Sequence, residues 1–129
     1  MTDIVLDASA LLALLKDEAG GAKVAEGLAS SRMCAVNYAE VVSHFIRAGM
    51  PPSAVDAMLR PLPVRVVAAD TDLATIAGRL QAVTAPAGLS LGDRFCLALA
   101  RRDGLPAWTA DRAWRTVSDA IGAEIVVIR

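Results

Sequence analysis

A short apolar run followed by a longer helical segment recurs along this chain. The first run, Ile4 to Leu6, contains no polar residue and ends at Asp7, a pattern typical of a buried parallel strand. The segment from Ala8 to Leu15 then has the composition of a helix. Because parallel strands are joined by helical crossovers, the alternation predicts right-handed βαβ units and an α/β fold.

The same pairing continues along the rest of the chain. Further strands are predicted at residues 33–36, 64–68, 105–109 and 124–128. Helices are predicted between them, at residues 22–29, 37–49, 53–60, 70–80 and 90–103, and a short one follows Asp111. Asn37 is the predicted N-cap of its helix, and Ser53-x-x-Asp56 opens the next. We therefore predict one domain, residues 1–129, with a mostly parallel five-stranded sheet in a three-layer α/β/α sandwich.

Composition excludes several classes of protein. At 55% hydrophobic residues the 129-residue chain can bury a full core, and its net charge of −1 gives no overall attraction to nucleic acid. No apolar run approaches the roughly 18 residues that a membrane span needs. Cys34 and Cys96 stand far apart, which argues against a zinc site and fits a reducing compartment. Acidic rather than basic residues near the amino terminus argue against a signal peptide, so we expect a cytoplasmic protein.

Four acidic residues lie just after a predicted strand or in the first turn of a predicted helix. They are Asp7, Glu40, Asp93 and Asp111. Because strand ends and helix starts share one edge of a parallel sheet, we expect these carboxylates to be neighbours there. Repulsion between them would be relieved by Mg²⁺ or Mn²⁺, which can activate a water molecule for attack on a phosphodiester. Ser9 and Thr109, each two residues from an aspartate, could hold a metal-bound water.

Each acid also has a purely structural interpretation. Asn37-x-x-Glu40 and Ser90-x-x-Asp93 both have the spacing of a helix capping box, and the other two acids could cap the helices that follow them. The combination of four acids and two hydroxyl groups at one predicted edge favours a metal site over four independent caps.

Four sequence segments together resemble a PIN domain of the VapC toxin type. The segments are IVLDASALLALL, VNYAEVVSHF, LSLGDRFCLALA and WTADRAW, in the order and spacing of that family. The resemblance spans almost the whole chain, and the acidic quartet and both hydroxyl positions match it. It implies a Mg²⁺- or Mn²⁺-dependent endoribonuclease, usually homodimeric, that cleaves structured RNA such as tRNA or rRNA and is blocked by a cognate antitoxin.

Several other residues have weaker claims to a functional role. Arg94, Arg112 and Arg115 lie near the last two acids in sequence and could contact RNA phosphates, although a solvated helix face explains each of them equally well. His44 follows Glu40 by one helical turn and could transfer a proton, but packing or solvent exposure is the more common role of a single histidine.

Apolar residues in two stretches exceed what a small sheet easily covers. We interpret residues 11–15 and 41–58 as a surface for a second copy of the chain or for an antitoxin. Trp114 could stack on a base, but a place in the core or in a dimer contact is the more common outcome for such a residue.

The sequence alone leaves two alternatives from other functional classes open. The first is a non-catalytic module that binds RNA or protein and uses the acids only as helix caps. The second is a phosphoaspartyl protein, either a receiver domain or a haloacid-dehalogenase-type phosphatase, with Asp7 near the phosphorylation site. Ala8 and Ser9 follow Asp7 where the phosphatase would have a second aspartate, so the second alternative fits less well.

Overall fold

The computed structural model describes residues 2–129, which form one sheet with helices on both faces. The strands are β1 (Ile4–Leu6), β2 (Ser31–Cys34), β3 (Arg65–Val67), β4 (Ala107–Thr109) and β5 (Ile125–Val127). Their order across the sheet is β3-β2-β1-β4-β5, and every neighbouring pair is parallel. The predicted α/β class and the five-stranded sheet are confirmed.

Helices connect all of these strands. They are α1 (Ala8–Leu15), α2 (Gly21–Gly27), α3 (Ala35–Arg47), α4 (Pro52–Leu59), α5 (Thr71–Arg79), α6 (Gln81–Thr84), α7 (Leu91–Asp103) and α8 (Ser118–Ile121). Short 3₁₀ turns lie at Leu28–Ser30, Ala85–Ala87 and Arg112–Val117. Within residues 2–129, no helix has the length and apolar character needed to cross a membrane.

The sheet separates two hydrophobic cores. Alternate residues of a strand point to opposite faces, so Val5 enters one core while Leu6 enters the other. The first core contains α5 and α7, with Leu73 and Leu97 fully buried, and the second contains α1, α3 and α4, with Leu11 nearly so. This is the predicted three-layer α/β/α arrangement.

The strand order reverses direction at the centre of the sheet. From β1 the chain moves outward on one side to β2 and β3, and it then returns to place β4 on the other side of β1. A crevice opens at such a switch point, outside the carboxyl ends of the two strands, and this is where α/β folds bind ligands. The first residue beyond β1 is Asp7, and Asp111 lies two residues beyond the end of β4.

The second strand lies two residues earlier than predicted. It runs from Ser31 to Cys34 instead of residues 33–36, because the polar Arg32 is accommodated within it. The guanidinium of Arg32 donates to Asp3 at 2.6 Å and to Asp103 at 3.0 Å, which offsets the cost of placing a charge in the sheet. Cys34 is consequently the N-cap of α3, and the prediction that Asn37 caps this helix is wrong.

Two further local predictions are also wrong. The expected capping box at Ser53 and Asp56 does not form, because α4 begins earlier, with Pro52 in its first turn and Pro51 as N-cap. No helix is predicted between residues 80 and 90, but α6 and the 3₁₀ turn that follows it occupy residues 81–87. The hydroxyl of Thr84 donates to the carbonyl of Leu80 at 2.9 Å and so satisfies a buried polar group within the turn.

Candidate functional site

Asp7 is the most deeply buried of the four acids. It is 4% exposed, and its Oδ1 accepts a hydrogen bond from the backbone N–H of Ala10 at 2.8 Å, which caps α1. Its carboxylate also accepts from the hydroxyl of Thr109 at 2.6 Å and from that of Ser9 at 2.7 Å. Three donors from α1 and the end of β4 therefore fix the orientation of this side chain.

Burial changes the acidity of Asp7. Loss of solvent raises its pKa from 3.8 to about 6, although the hydrogen bonds from Thr109, Ala10 and Ser9 act in the opposite direction. The negative charge of Asp93 adds a smaller upward effect on the pKa. A cation near Asp7 would favour its ionised form and relieve this unfavourable environment.

The two hydroxyl groups link the ends of β1 and β4. Besides contacting Asp7, Ser9 Oγ accepts from the backbone N–H of Ala110 at 2.9 Å. Thr109 Oγ1 accepts from the backbone N–H of Asp111 at 3.0 Å. Ser9 and Thr109 therefore position the backbone that carries Asp111, and their predicted contact with a metal-bound water stays a prediction.

Asp93 combines a capping role with an open oxygen. Its Oδ2 accepts from the N–H of Ser90 at 2.9 Å, and its own N–H donates to the hydroxyl of Ser90 at 3.2 Å, which completes the predicted capping box of α7. In residues 2–129 the second carboxylate oxygen of Asp93, Oδ1, accepts no hydrogen bond. Capping therefore occupies one oxygen of this carboxylate and leaves the other for a ligand.

Glu40 lies in the second turn of α3 and has no part in a cap. The amide nitrogen of Asn37 donates to its Oε1 at 2.8 Å and to the carbonyl of Gly92 on α7 at 2.9 Å. A Cβ placed on Gly92 would lie 2.6 Å from Oε1 of Glu40, so a larger residue at this position would force the carboxylate to move. Asn37 and Gly92 together hold Glu40 between the two helices.

Asn37 is the supporting residue that sequence reasoning missed. It is 1% exposed, and its Oδ1 is buried without a hydrogen-bond partner in the described part of the chain. The sequence pattern predicted it to be a cap because strand β2 was placed two residues too late. A helix starting at Ala35 would have put Asn37 and Glu40 on the same face, three residues apart.

Asp111 is the most open of the four acids. It is exposed, and its Oδ1 accepts from the N–H of Ala113 at 2.9 Å, which caps the 3₁₀ turn that follows. One of its oxygens is thus engaged with the backbone, as in Asp93.

All four acids border the same open cleft, which has a volume of ≈ 650 Å³. Ser9 also lines it, whereas Thr109 is fully buried behind Asp7. No group of three metal-binding side chains within residues 2–129 is arranged closely enough to hold an ion by itself. The cleft therefore presents four carboxylates along its walls, separated more widely than in a closed metal cage.

The cleft lining contains one basic residue that the sequence points to, His44, and none of the three arginines that were candidates for RNA contact. His44 and Arg47, both on α3, line it. Arg94 is half-buried and donates to the carbonyl of Ala77 on α5 at 3.2 Å, away from the cleft. Arg112 and Arg115 are exposed and also lie outside the cleft lining, so RNA contact by these three arginines stays a prediction.

The tryptophans do not take part in this site. Trp114 is fully buried in the core on the α7 side of the sheet, so its stacking on a base is excluded. Trp108 is half-buried on the other face, where the ammonium of Lys23 lies 5.2 Å from its ring centre.

Comparisons with known proteins assign the chain to a family. The family model described as PIN domain matches residues 4–120. Ribonuclease VapC42 of Mycobacterium tuberculosis is 33% identical over 113 residues, which cover 80% of this chain and 86% of that protein. The chain belongs to the VapC family of PIN-domain proteins. A VapC ribonuclease of Mycobacterium bovis matches this VapC-family chain with the same identity and coverage.

Solved structures of VapC-family proteins share the fold. Mycobacterium tuberculosis VapC20, described as a sarcin-ricin loop cleaving toxin, has a TM-score of 0.75 with 21% identity, covering 98% of this chain and 99% of that one. DNA-bound VapBC of Salmonella typhimurium has a TM-score of 0.73 with 16% identity, covering 98% of each chain. The predicted resemblance to VapC-type PIN domains is confirmed, and the phosphoaspartyl alternative loses its basis.

Proposed function

We propose that this VapC-family protein is a metal-dependent endoribonuclease and the toxin of a type II toxin–antitoxin pair. The observation that carries the proposal is the cleft at the switch point of the sheet, which all four predicted acids line. Acidic side chains at a ligand-binding edge are suited to a cation and, through it, to a phosphodiester. The names of the relatives, which are ribonucleases, support the choice of RNA.

The donor set of the cleft fits Mg²⁺ or Mn²⁺. Both ions prefer hard oxygen ligands, and Mg²⁺ keeps several waters while binding only one or two carboxylates. Carboxylates spaced along a cleft are therefore compatible with such an ion without a closed cage of three. We propose that Asp7, Asp93 and Asp111 hold the ion, one or two of them directly and the rest through its bound waters, and that Glu40 holds a second ion or positions the attacking water.

Each side chain then has a defined task. A bound divalent cation would make a water molecule more acidic and stabilise negative charge on the phosphate. Ser9 and Thr109 keep the carboxylate of Asp7 in one orientation. Asn37 holds Glu40 by one oxygen and leaves its Oε2 free to accept a proton or a water hydrogen.

The substrate class and the partners follow from the relatives by analogy. We propose a structured RNA, tRNA or a loop of rRNA, because a structural relative is described as a sarcin-ricin loop cleaving toxin. A cognate antitoxin is proposed because other structural neighbours are VapBC or toxin–antitoxin complexes. We further propose a homodimer that acts in the cytoplasm.

The activity is tested by incubating purified protein with a mixture of total tRNA and rRNA in Mg²⁺, Mn²⁺ or EDTA. Discrete products are expected with at least one metal and none with EDTA, and sequencing the product ends identifies the RNA and the cleaved bond. Intact RNA under every metal condition would argue against the proposed activity.

One observation favours a second candidate, a non-catalytic binding module. Asp7, Asp93 and Asp111 all cap helical segments, so a structural role accounts for each of them separately. Titration with Mn²⁺ followed by calorimetry separates the two candidates, because caps alone produce no saturable site. The Asp70→Asn variant is the matched control, since Asp70 caps α5 through the N–H of Leu73 but lies outside the cleft.

A further inference from the structure

The α3 wall of the cleft changes from acidic to basic along its length. Glu40, His44 and Arg47 all line the cleft, and their spacing of four and then three residues places them on one helix face. Within the described residues, His44 and Arg47 are the only basic side chains in the cleft lining. The remaining charged groups of the lining are the four carboxylates.

Arg47 is free to bind an anion. It is exposed, and it forms no salt bridge or side-chain hydrogen bond in the part of the chain that the structure describes. Arg32 and Arg94 differ in this respect, since Arg32 is paired with carboxylates and Arg94 donates to a backbone carbonyl. The guanidinium of Arg47 can therefore make two parallel hydrogen bonds to a phosphate without breaking an existing interaction.

The position of Arg47 separates it from the acids. It lies seven residues beyond Glu40, which corresponds to about 10 Å along the helix axis. A cleft with four carboxylates repels an RNA strand except where a cation compensates. We propose that Arg47 binds a backbone phosphate of the RNA adjacent to the one that is cut, and so positions the strand across the acids. This inference rests on the proposed ribonuclease function.

A binding role predicts a specific pattern of effects. Removing one contact between a charge and a phosphate weakens RNA binding roughly tenfold. It also lowers the slope of log Kd against log salt concentration by about 0.7, the value for one phosphate on a single strand. The rate constant kcat changes little, because Arg47 does not contact the reacting atoms. In the Arg47→Lys variant the charge remains, so the salt slope is retained.

The experiment measures binding of a fluorescein-labelled single-stranded oligoribonucleotide of mixed sequence, over a range of salt concentrations. All proteins carry Asp93→Asn to prevent cleavage, and Arg47→Gln and Arg47→Lys are compared with Arg60→Gln. Arg60 is exposed, lies at the end of α4 outside the cleft lining, and forms no salt bridge within residues 2–129. Thermal unfolding of each variant verifies that the fold is intact. Apparent KM and kcat on total RNA are measured separately with the Asp93-intact proteins.

The outcomes separate this inference from the proposed function. A larger Kd and a smaller salt slope in Arg47→Gln, with both values unchanged in Arg60→Gln, support the inference. This holds even if the Asp93-intact protein cuts no RNA and the ribonuclease proposal fails. Equal Kd and equal salt slopes in Arg47→Gln and Arg60→Gln would overturn it even if RNA is cut. A loss of kcat with unchanged KM and Kd would also overturn it, because Arg47 would then act on the reaction itself.

Discussion

At the scale of single residues, three of the four acids both cap a helical segment and line the cleft. Asp7 caps α1 through Ala10, yet it is also buried against Thr109 with its pKa raised to about 6. A residue needed only as a cap would be more stable at the helix surface, where its charge is solvated. The burial of the ionised Asp7 carboxylate therefore costs stability, and a bound cation would offset that cost.

Because burying Asp7 costs stability, we predict that the pH dependence of stability differs between wild type and Asp7→Asn in metal-free protein. Because the folded pKa is raised from 3.8 to about 6, the native state binds this proton more tightly than the unfolded chain does. The stabilisation that comes from the protonated carboxyl of Asp7 is complete below the unfolded-state pKa of 3.8. It is lost as pH rises through the folded-state pKa of about 6. As pH rises from below 3.8 to above 6, the free energy of unfolding of the wild type should fall by about 3 kcal/mol relative to that of Asp7→Asn. Urea unfolding in EDTA at several pH values measures the difference, and a difference that is independent of pH would contradict the prediction.

The candidate residues of the site could be found from sequence, but their supports could not. Asp7 and Asp111 are recognisable because each follows an apolar run that ends at the ligand-binding edge. The contact of Asn37 with Gly92 joins two helices that are far apart in sequence, and no local pattern encodes it. Arg47 was missed for a related reason, since proximity in sequence to Asp93 and Asp111 does not determine which side chains line the cleft.

At the scale of elements, the approach of α3 to α7 shapes the site. Gly92 lies in the first turn of α7, where a Cβ would meet the carboxylate of Glu40. We predict that Gly92→Ala displaces Glu40 and lowers ribonuclease activity by roughly tenfold or more while the fold is retained. RNA cleavage assays and thermal unfolding measure the two effects.

The matched control for this prediction is Gly78→Ala on α5. A Cβ on Gly78 meets nothing within 4 Å, so alanine there should raise stability by up to about 1 kcal/mol and leave activity unchanged. If Gly92→Ala cleaves RNA as fast as Gly78→Ala does, the proposed role of Glu40 is wrong.

The elements themselves were predicted well where the apolar pattern is strong. β1 and α1 have the predicted bounds because a run without polar residues is followed directly by a helix cap. The predicted β2 begins two residues too late because a polar residue such as Arg32 normally indicates the end of an apolar strand. Arg32 lies inside the strand because it is paired with Asp3 and Asp103. Such pairing depends on tertiary contacts, which a local pattern does not contain.

At the scale of the whole molecule, part of the apolar surface fits a partner. Around α1, α3 and α4, the side chains of Leu12, Leu15, Val42 and Met58 are only half-buried. Ile46 on α3 is 42% exposed. Leu11 itself is 1% exposed, so the predicted surface at residues 11–15 is formed by its neighbours. These residues are compatible with the proposed homodimer or antitoxin contact.

We predict a dimer in size-exclusion chromatography at micromolar protein concentration. Ile46→Asp should shift the protein toward monomer, because a buried charge opposes association across an apolar surface. Val83→Asp is the control, since Val83 is similarly exposed at 40% but lies on α6, away from this surface. A monomeric wild type, or equal behaviour of the two variants, would count against the dimer surface.

The proposed function requires the acids to act as a catalytic site and not merely as helix caps. The most direct measurement compares RNA cleavage by Asp93→Asn and Asp70→Asn in the same metal-containing buffer. Both aspartates cap helices, but only Asp93 lines the cleft. We predict that Asp93→Asn loses activity by roughly a hundredfold or more while Asp70→Asn stays near the wild-type rate. Equal cleavage rates for the two variants would mean that Asp93 is only a helix cap.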